Sequence, residues 1–258
     1  MSIKLSNISP KAKIGKGVEI DSFVNISEDV VIGDGTWIGP NVTIMDGARI
    51  GQNCKIFPGA VISAIPQDLK FSGEKSTAII GDNTTIREFA TINRATNYSG
   101  ATSIGENCLI MAYVHVAHDC KIASNVILAN SVQLGGHIEI NEYAIIGGIS
   151  AIHQFVKIGS YSMISGGSLV RKDVPPYIKV AKEPLSYVGV NSIGLSRSGF
   201  NEDKILEIQN VYRHIFQSNM NYTQALKKIK NNFDSNKEIK NIIQFISKSE
   251  RGIIKGYK

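Results

Sequence analysis

Every sixth residue of this chain is aliphatic, and that period constrains the fold more than any other feature. From Ile8 to Val170, 25 of the 28 positions spaced by six are Ile, Leu or Val. The exceptions, Asp68, Glu74 and Tyr98, fall in two short patches. A period of six is too short for a helix pair and is no multiple of 3.6, but it accommodates two or three extended residues and a turn. Three such units make one triangular coil of 18 residues, with the aliphatic side chains inside. Successive coils then stack as parallel strands about 4.8 Å apart. Glycine often follows the aliphatic residue, as in Ile32-Gly33 and Ile104-Gly105. That placement predicts a tight corner with positive φ.

The pattern resembles the hexapeptide repeat, whose known fold is the left-handed parallel β-helix. The handedness comes from that resemblance, not from the spacing. The expected fold is therefore an all-β solenoid followed by a helical part. Residues 1–185 form the β-helix, with loops leaving it near 64–79 and 94–103. Residues 186–258 form a basic α-helical domain. The repeat stops near Val174-Pro175-Pro176, where consecutive prolines break it. Beyond Asn201, a plausible N-cap, Ile205, Ile208, Tyr212, Ile215 and Phe216 recur at helical spacing. Ala225, Leu226, Ile229 and Phe233 mark a second helix, and Ile239, Ile242, Ile243 and Ile246 a third.

Composition excludes several classes. With 43% hydrophobic and 19% charged residues, the chain is not disordered. No apolar run approaches the ~18 residues needed to span a bilayer, and no signal segment is expected in the first residues, which lack an apolar run of about 7–15. A cytoplasmic protein with no nucleic-acid partner is expected. The three cysteines, Cys54, Cys108 and Cys120, lack metal or redox spacing and read as reduced structural thiols. All of the +6 net charge lies after residue 185, since 16 Lys/Arg balance 16 Asp/Glu before it. A basic carboxyl-terminal part predicts an acidic partner.

Counting in coils of 18 brings distant residues together. His115, His118, His137 and His153 fall within four residues of one corner, on three successive coils. Such a cluster suits zinc, a general base, or a ladder of hydrogen bonds without chemistry. The surroundings favour the base. Asp119 follows His118 and can orient its imidazole. Gly136 lies one coil above His118, where a bare backbone N–H can approach a reacting carbonyl and stabilise an oxyanion. Base and oxyanion donor together indicate acyl transfer to a hydroxyl or amine.

Longer motifs carry a more specific resemblance. They include Ile65-Pro66-Gln67-Asp68-Leu69-Lys70, Thr91-Ile92-Asn93-Arg94, His115-Val116-Ala117-His118-Asp119, Gly135-Gly136-His137, Ile152-His153-Gln154-Phe155 and Asp173-Val174-Pro175-Pro176-Tyr177. With these the chain resembles the acyl-carrier-protein-dependent UDP-N-acetylglucosamine O-acyltransferases of lipid A synthesis. The resemblance implies transfer of an (R)-3-hydroxyacyl group from acyl carrier protein to the glucosamine 3-OH of UDP-N-acetylglucosamine. It makes His118 the general base, supported by Asp119, and Gly136 the oxyanion donor. Asp68 and Lys70 would contact sugar and acyl donor. His115, His137 and His153 would line the site, with Gln154, Asn191 and Arg197 toward the nucleotide. Gly166 would be the acyl-chain ruler.

The family implies a homotrimer with no bound cofactor and no metal, the acyl group arriving on the carrier's phosphopantetheine. One stretch departs from the family. Ser196 and Ser198 stand where other members often have Lys or Arg, and Ile193 where a carboxylate is common. Contacts to the UDP phosphates are therefore not carried over. Two other chemistries remain to be weighed: amide formation on a 3-amino analogue of the sugar, and a zinc hydratase of the same fold. A non-enzymatic β-helical scaffold is the third.

Overall fold

A computed structural model describes residues 5–218, 220–233 and 236–256. Residues 1–4, part of the segment read above for a signal, lie outside the described residues. Very short parallel strands form three faces of a prism. The first face stacks the strands ending at Ile8, Ile26 and Ile44, then Val61–Ala64, Thr91–Asn93, and those ending at Val116, Leu134, Ile152 and Val170. The second runs from Lys13–Ile14 to Lys157–Ile158, and the third from Glu19–Ile20 to Met163–Ile164 and beyond. In register, aliphatic pairs with aliphatic, as Ile110 does with Ile86 and Leu128. The side chains meet inside: Ile38, Ile44, Ile56, Ile62, Ile86 and Ile110 are fully buried. This is a left-handed parallel β-helix.

The two interruptions are insertions, and their lengths explain why the period survives them. Ile62 and Ile80 are successive inward residues, as are Ile92 and Ile104, so the excess over six is twelve residues and then six. Together these make one full coil. Between them the faces are displaced by one: Ile80 lies on the second face, Ile86 on the third and Ile92 on the first. After Ile104 the original assignment returns. Parts of both expected loops are strand, since Thr77–Ile80 pairs with Ala101–Ile104 over four residues.

The corner geometry corrects the reading of glycine. Positive φ falls three residues before the next aliphatic position, not directly after one. At the corner between the second and third faces that position is held by Gly17 and Gly35 and then by Asn53, Asn83, Asn107, Asn125, Tyr143, Tyr161 and Tyr177. Between the first and second faces Asp119, His137 and Phe155 occupy it, with φ of 60°, 62° and 65°. Glycine after the aliphatic residue has another cause. A Cβ on Gly33 would lie 2.6 Å from the Gly51 carbonyl carbon, and one on Gly81 2.6 Å from that of Gly105. The coils stack too closely there for a side chain.

The third face continues past the prolines. Ile178–Ala181 adds in parallel and forms an antiparallel pair with Ser186–Val190, so a boundary at 185/186 falls inside this hairpin. Among the described residues four helices follow: α1 (Ser192–Arg197), α2 (Glu202–Phe216), α3 (Tyr222–Asn232) and α4 (Lys237–Ser247). Asn201 caps α2 by accepting from Lys204 N, as its position predicts. The short α1 carries no periodic stripe and was not legible. Lys255–Gly256 returns to pair with Ser186–Val190.

Each coil contacts only its neighbours, so a cavity in one coil has no distant compensation. Ile110 is central and fully buried. Ile110→Ala is expected to destabilise the fold by about 2–5 kcal/mol. Urea unfolding checks this, and an unchanged midpoint would contradict the packing described.

Candidate active site

The corner between the first and second faces gathers the histidines. There the coil carrying Val116 turns through Ala117, His118 and Asp119, and the next through Gly135, Gly136 and His137. His118 Nδ1 lies 2.7 Å from Asp119 Oδ2. The Asp119 side chain is completely buried, and His118's is 12% exposed. Five donors converge on this carboxylate. Oδ2 takes His118 Nδ1, Thr96 N at 3.2 Å and Thr96 Oγ1 at 2.8 Å. Oδ1 takes Ser99 N at 3.0 Å and the Ser99 hydroxyl. Burial pushes the Asp119 carboxyl up, but the hydrogen bonds from Ser99, His118 and Thr96 outweigh it and hold it below its ordinary value. An ionised Asp119 accepts the Nδ1 proton, which leaves the Nε2 lone pair of His118 free to act as a base.

Gly136 is where the coil count places it, with a tighter constraint than the sequence shows. A Cβ there would lie 2.7 Å from His118 Cε1 and 2.8 Å from Nε2. Its N–H meets no acceptor among the described residues. Nε2 faces Asp68, whose Oδ2 is 4.0 Å away. Asp68 is held by its own turn, accepting from Lys70 N at 3.0 Å, while the Lys70 side chain is exposed. The two inserted loops are lashed together: Asn97 N donates to Glu74, and the Arg94 guanidinium lies 5.5 Å from the Phe71 ring centre.

The other histidines differ in setting. His115 Nδ1 meets Thr91 Oγ1 at 2.7 Å, and burial together with nearby His118 pushes its pKa down. The His137 ring stacks on Phe155 at 4.4 Å, with Tyr98 at its edge at 4.4 Å and His118 at 5.0 Å. Burial pushes the His137 imidazole down, although Asp119 and Asp68 draw it the other way. His153 is exposed, with Arg251 Nη2 3.2 Å from its Nδ1. Gln154 beside it is exposed. A cavity of about 410 Å³ opens along this edge, lined by Tyr98, Ser99, Asp119, His137, Phe155 and Arg251 among others.

Three expected site residues lie elsewhere on the chain. Gly166 is at the corner between the third and first faces. A Cβ there would come to 3.1 Å from Gly148 O. Asn191 is buried and donates to Tyr161 O at 2.9 Å, beside the tyrosine ladder of the remaining corner. Arg197 is exposed at the end of α1.

The residues missed were Thr96, Ser99, Tyr98 and Phe155. Phe155 stands one coil above His137, so the 18-residue count contained it. The other three sit in an inserted loop that the count cannot reach.

His118, Asp119 and His137 could be taken for a metal site, because their ligand atoms lie within 4.8 Å of one another. The donor set does not fit an ion. Both Asp119 oxygens are already filled by N–H and O–H donors, and a metal would have to displace them. Cys120 offers no nucleophile either, since burial pushes its thiol up to about 12.

A histidine–aspartate pair beside an unencumbered backbone N–H, on a prism of six-residue repeats, is an arrangement that suits a hexapeptide-repeat acyltransferase. Comparison with known proteins narrows this. Residues 29–64 and 101–136 match the bacterial transferase hexapeptide family, and residues 173–254 match the second domain of UDP-N-acetylglucosamine O-acyltransferase. The acyl-[acyl-carrier-protein]–UDP-N-acetylglucosamine O-acyltransferase of Thermodesulfovibrio yellowstonii is 43% identical, over 97% of each chain. That of Chlamydia caviae is 44% identical, over 96% of this chain and 90% of its own. The crystal structure of a UDP-N-acetylglucosamine acyltransferase from Bacteroides fragilis superposes with a TM-score of 0.97 at 50% identity, covering 99% of this chain and 100% of that one. The chain belongs to the acyl-[acyl-carrier-protein]–UDP-N-acetylglucosamine O-acyltransferase family.

Proposed function

We infer that this protein transfers an (R)-3-hydroxyacyl group from acyl carrier protein to the glucosamine 3-OH of UDP-N-acetylglucosamine, the first step of lipid A biosynthesis. The observation that carries the reading is the His118–Asp119 pair at 2.7 Å, with Nε2 facing the Gly136 backbone and Asp68.

Asp119 holds the proton on Nδ1, so Nε2 takes the proton of the sugar hydroxyl. The hydroxyl oxygen attacks the thioester carbonyl, and the Gly136 N–H stabilises the developing oxyanion. Collapse breaks the C–S bond, and His118 returns its proton to the departing phosphopantetheine thiolate. Thioester and alcohol become ester and thiol, which balances without a further cofactor. Asp68, beside Nε2, accepts from a sugar hydroxyl, and Lys70 reaches the acyl donor from the same loop.

Gly166 and Asn191 sit on other corners of the prism than the histidines. In a single prism they cannot line one groove with His118. A homotrimer brings the edge of one copy against the next, which is how they and Arg197 would reach a neighbour's site. The basic residues after 185 receive the acidic carrier protein. A cleft between the last coil and α2–α3 suits such a partner: Lys255 lines it from this part, and Arg171, Lys172 and Lys182, with Glu183 among them, line it from the end of the prism. An acyl carrier donor places the reaction in the cytoplasm.

The test is purified enzyme with acyl carrier protein loaded with (R)-3-hydroxyacyl chains, offered UDP-N-acetylglucosamine or its 3-amino analogue. Ester formation on the first acceptor, unchanged after dialysis against EDTA, is expected. Preference for the amino sugar, or loss of turnover on chelation, would overturn the reading.

A further inference from the structure

The loop 94–100 lies outside the repeat, yet it supplies four of the five hydrogen bonds to Asp119. We propose that Thr96 and Ser99 are positioning residues for the transfer, locking Asp119 so that His118 keeps Nε2 free for the acceptor hydroxyl. This rests on His118 being the base.

The physical case begins with burial. A completely buried carboxylate is driven toward its neutral form unless donors replace the lost water. A neutral Asp119 would carry its own proton toward Nδ1. The imidazole would then take its proton on Nε2 and cease to be a base. The donors that prevent this are uncharged. Among the described residues the only ionic partner of Asp119 is His118. Amides and hydroxyls keep the carboxylate ionised without cancelling its charge, so all of that charge remains available to stabilise the imidazolium formed during transfer. A lysine or arginine in their place would hold Asp119 ionised and weaken the base.

The two hydroxyls are not interchangeable with spare contacts. The Thr96 hydroxyl donates to Asp119 while accepting from Tyr98 N at 3.2 Å, which shapes the loop around the carboxylate. The Ser99 hydroxyl has one proton, and the carboxylate is a stronger acceptor than Ala101 O, 3.0 Å away. Tyr98, between them, edges onto His137. The loop therefore sets two neighbouring rings at once.

Ser99→Ala removes one donor from Asp119. The carboxylate then binds protons more readily and holds the imidazolium more tightly, and both changes put protons on the pair at a given pH. Other groups facing the pair are Asp68, His115 and His137, with Lys121 and Glu139 along the same cavity; none is altered. The expected result is a fall in kcat of about tenfold with KM for UDP-N-acetylglucosamine unchanged, because Asp119 is held less firmly and more of the imidazole carries its proton on Nε2, where it cannot act as the base. The acidic limb of kcat/KM moves to higher pH. Ser99→Thr restores both. Thr96→Val, which removes the other hydroxyl at similar shape, reads in the same direction should Ser99→Ala not fold. Asn97→Ala, in the same loop with an exposed side chain, leaves turnover and pH profile as they are. Wild-type kcat and pH profile in Ser99→Ala, or an equal loss in Asn97→Ala, would overturn the proposal. If His118→Ala itself keeps full activity, the base assignment fails first. If only Ser99→Ala is silent, the base stands and the loop is structural.

Discussion

Alanine at His118 is expected to lower kcat by about 10³-fold, the size of effect a positioned general base provides, with the fold intact. Loss of the imidazole removes one of five donors to Asp119. The other four come from Thr96 and Ser99, so the buried charge keeps most of its partners. The side chain is largely covered but belongs to the corner, not to the aliphatic interior, so no core cavity forms. Circular dichroism and sedimentation should match the wild-type protein while steady-state turnover collapses. An enzyme of full activity would remove His118 from the chemistry and return the corner to a purely structural ladder.

Gly136→Ala is the second large effect, expected at about 10²-fold in kcat, comparable to other small misplacements of reacting groups. The added methyl would lie under 3 Å from two atoms of the His118 ring. The ring cannot yield freely, because Nδ1 is tied to Asp119 at 2.7 Å. It must tilt away from the acceptor or push the upper coil outward, and either separates the base from the backbone N–H above it. Gly136 is not among the residues with positive φ, so alanine brings no backbone strain at that position. Stability should therefore change little while turnover falls. A variant that loses stability and activity in parallel would indicate displacement of the coil rather than of the ring.

Much of this architecture was legible because its cause is local and repeated. An inward aliphatic residue every six positions needs no long-range information to assign. Even the histidine corner followed from counting, since the two insertions together equal one coil and the later phase is preserved. The count misplaced only the stretch between them, where Ile80, Ile86 and Ile92 are displaced by one face. The role of glycine was misread for a related reason. Periodicity shows where a small residue recurs, not whether φ or the backbone of the next coil demands it.

Ser99 and Thr96 were out of reach for a different reason. Nothing in Ala95-Thr96-Asn97-Tyr98-Ser99 marks it as a carboxylate clasp. Its donors converge only because the loop folds back over Asp119, some twenty residues later in the chain. The position of Gly166 has the same character: its corner follows from the count, but which side chains share a groove with it depends on a neighbouring surface.

By itself, the sequence determined the prism, the order of its faces outside the insertions, and the meeting of His118, Asp119 and Gly136 at one edge. These follow from a repeat whose geometry is set within each coil. Only the tertiary structure decided the state of that edge: which atom of His118 faces outward, why Gly136 admits no side chain, and what keeps Asp119 ionised. Those depend on close approaches of a few ångströms between non-repeating segments, and no spacing in the chain encodes them.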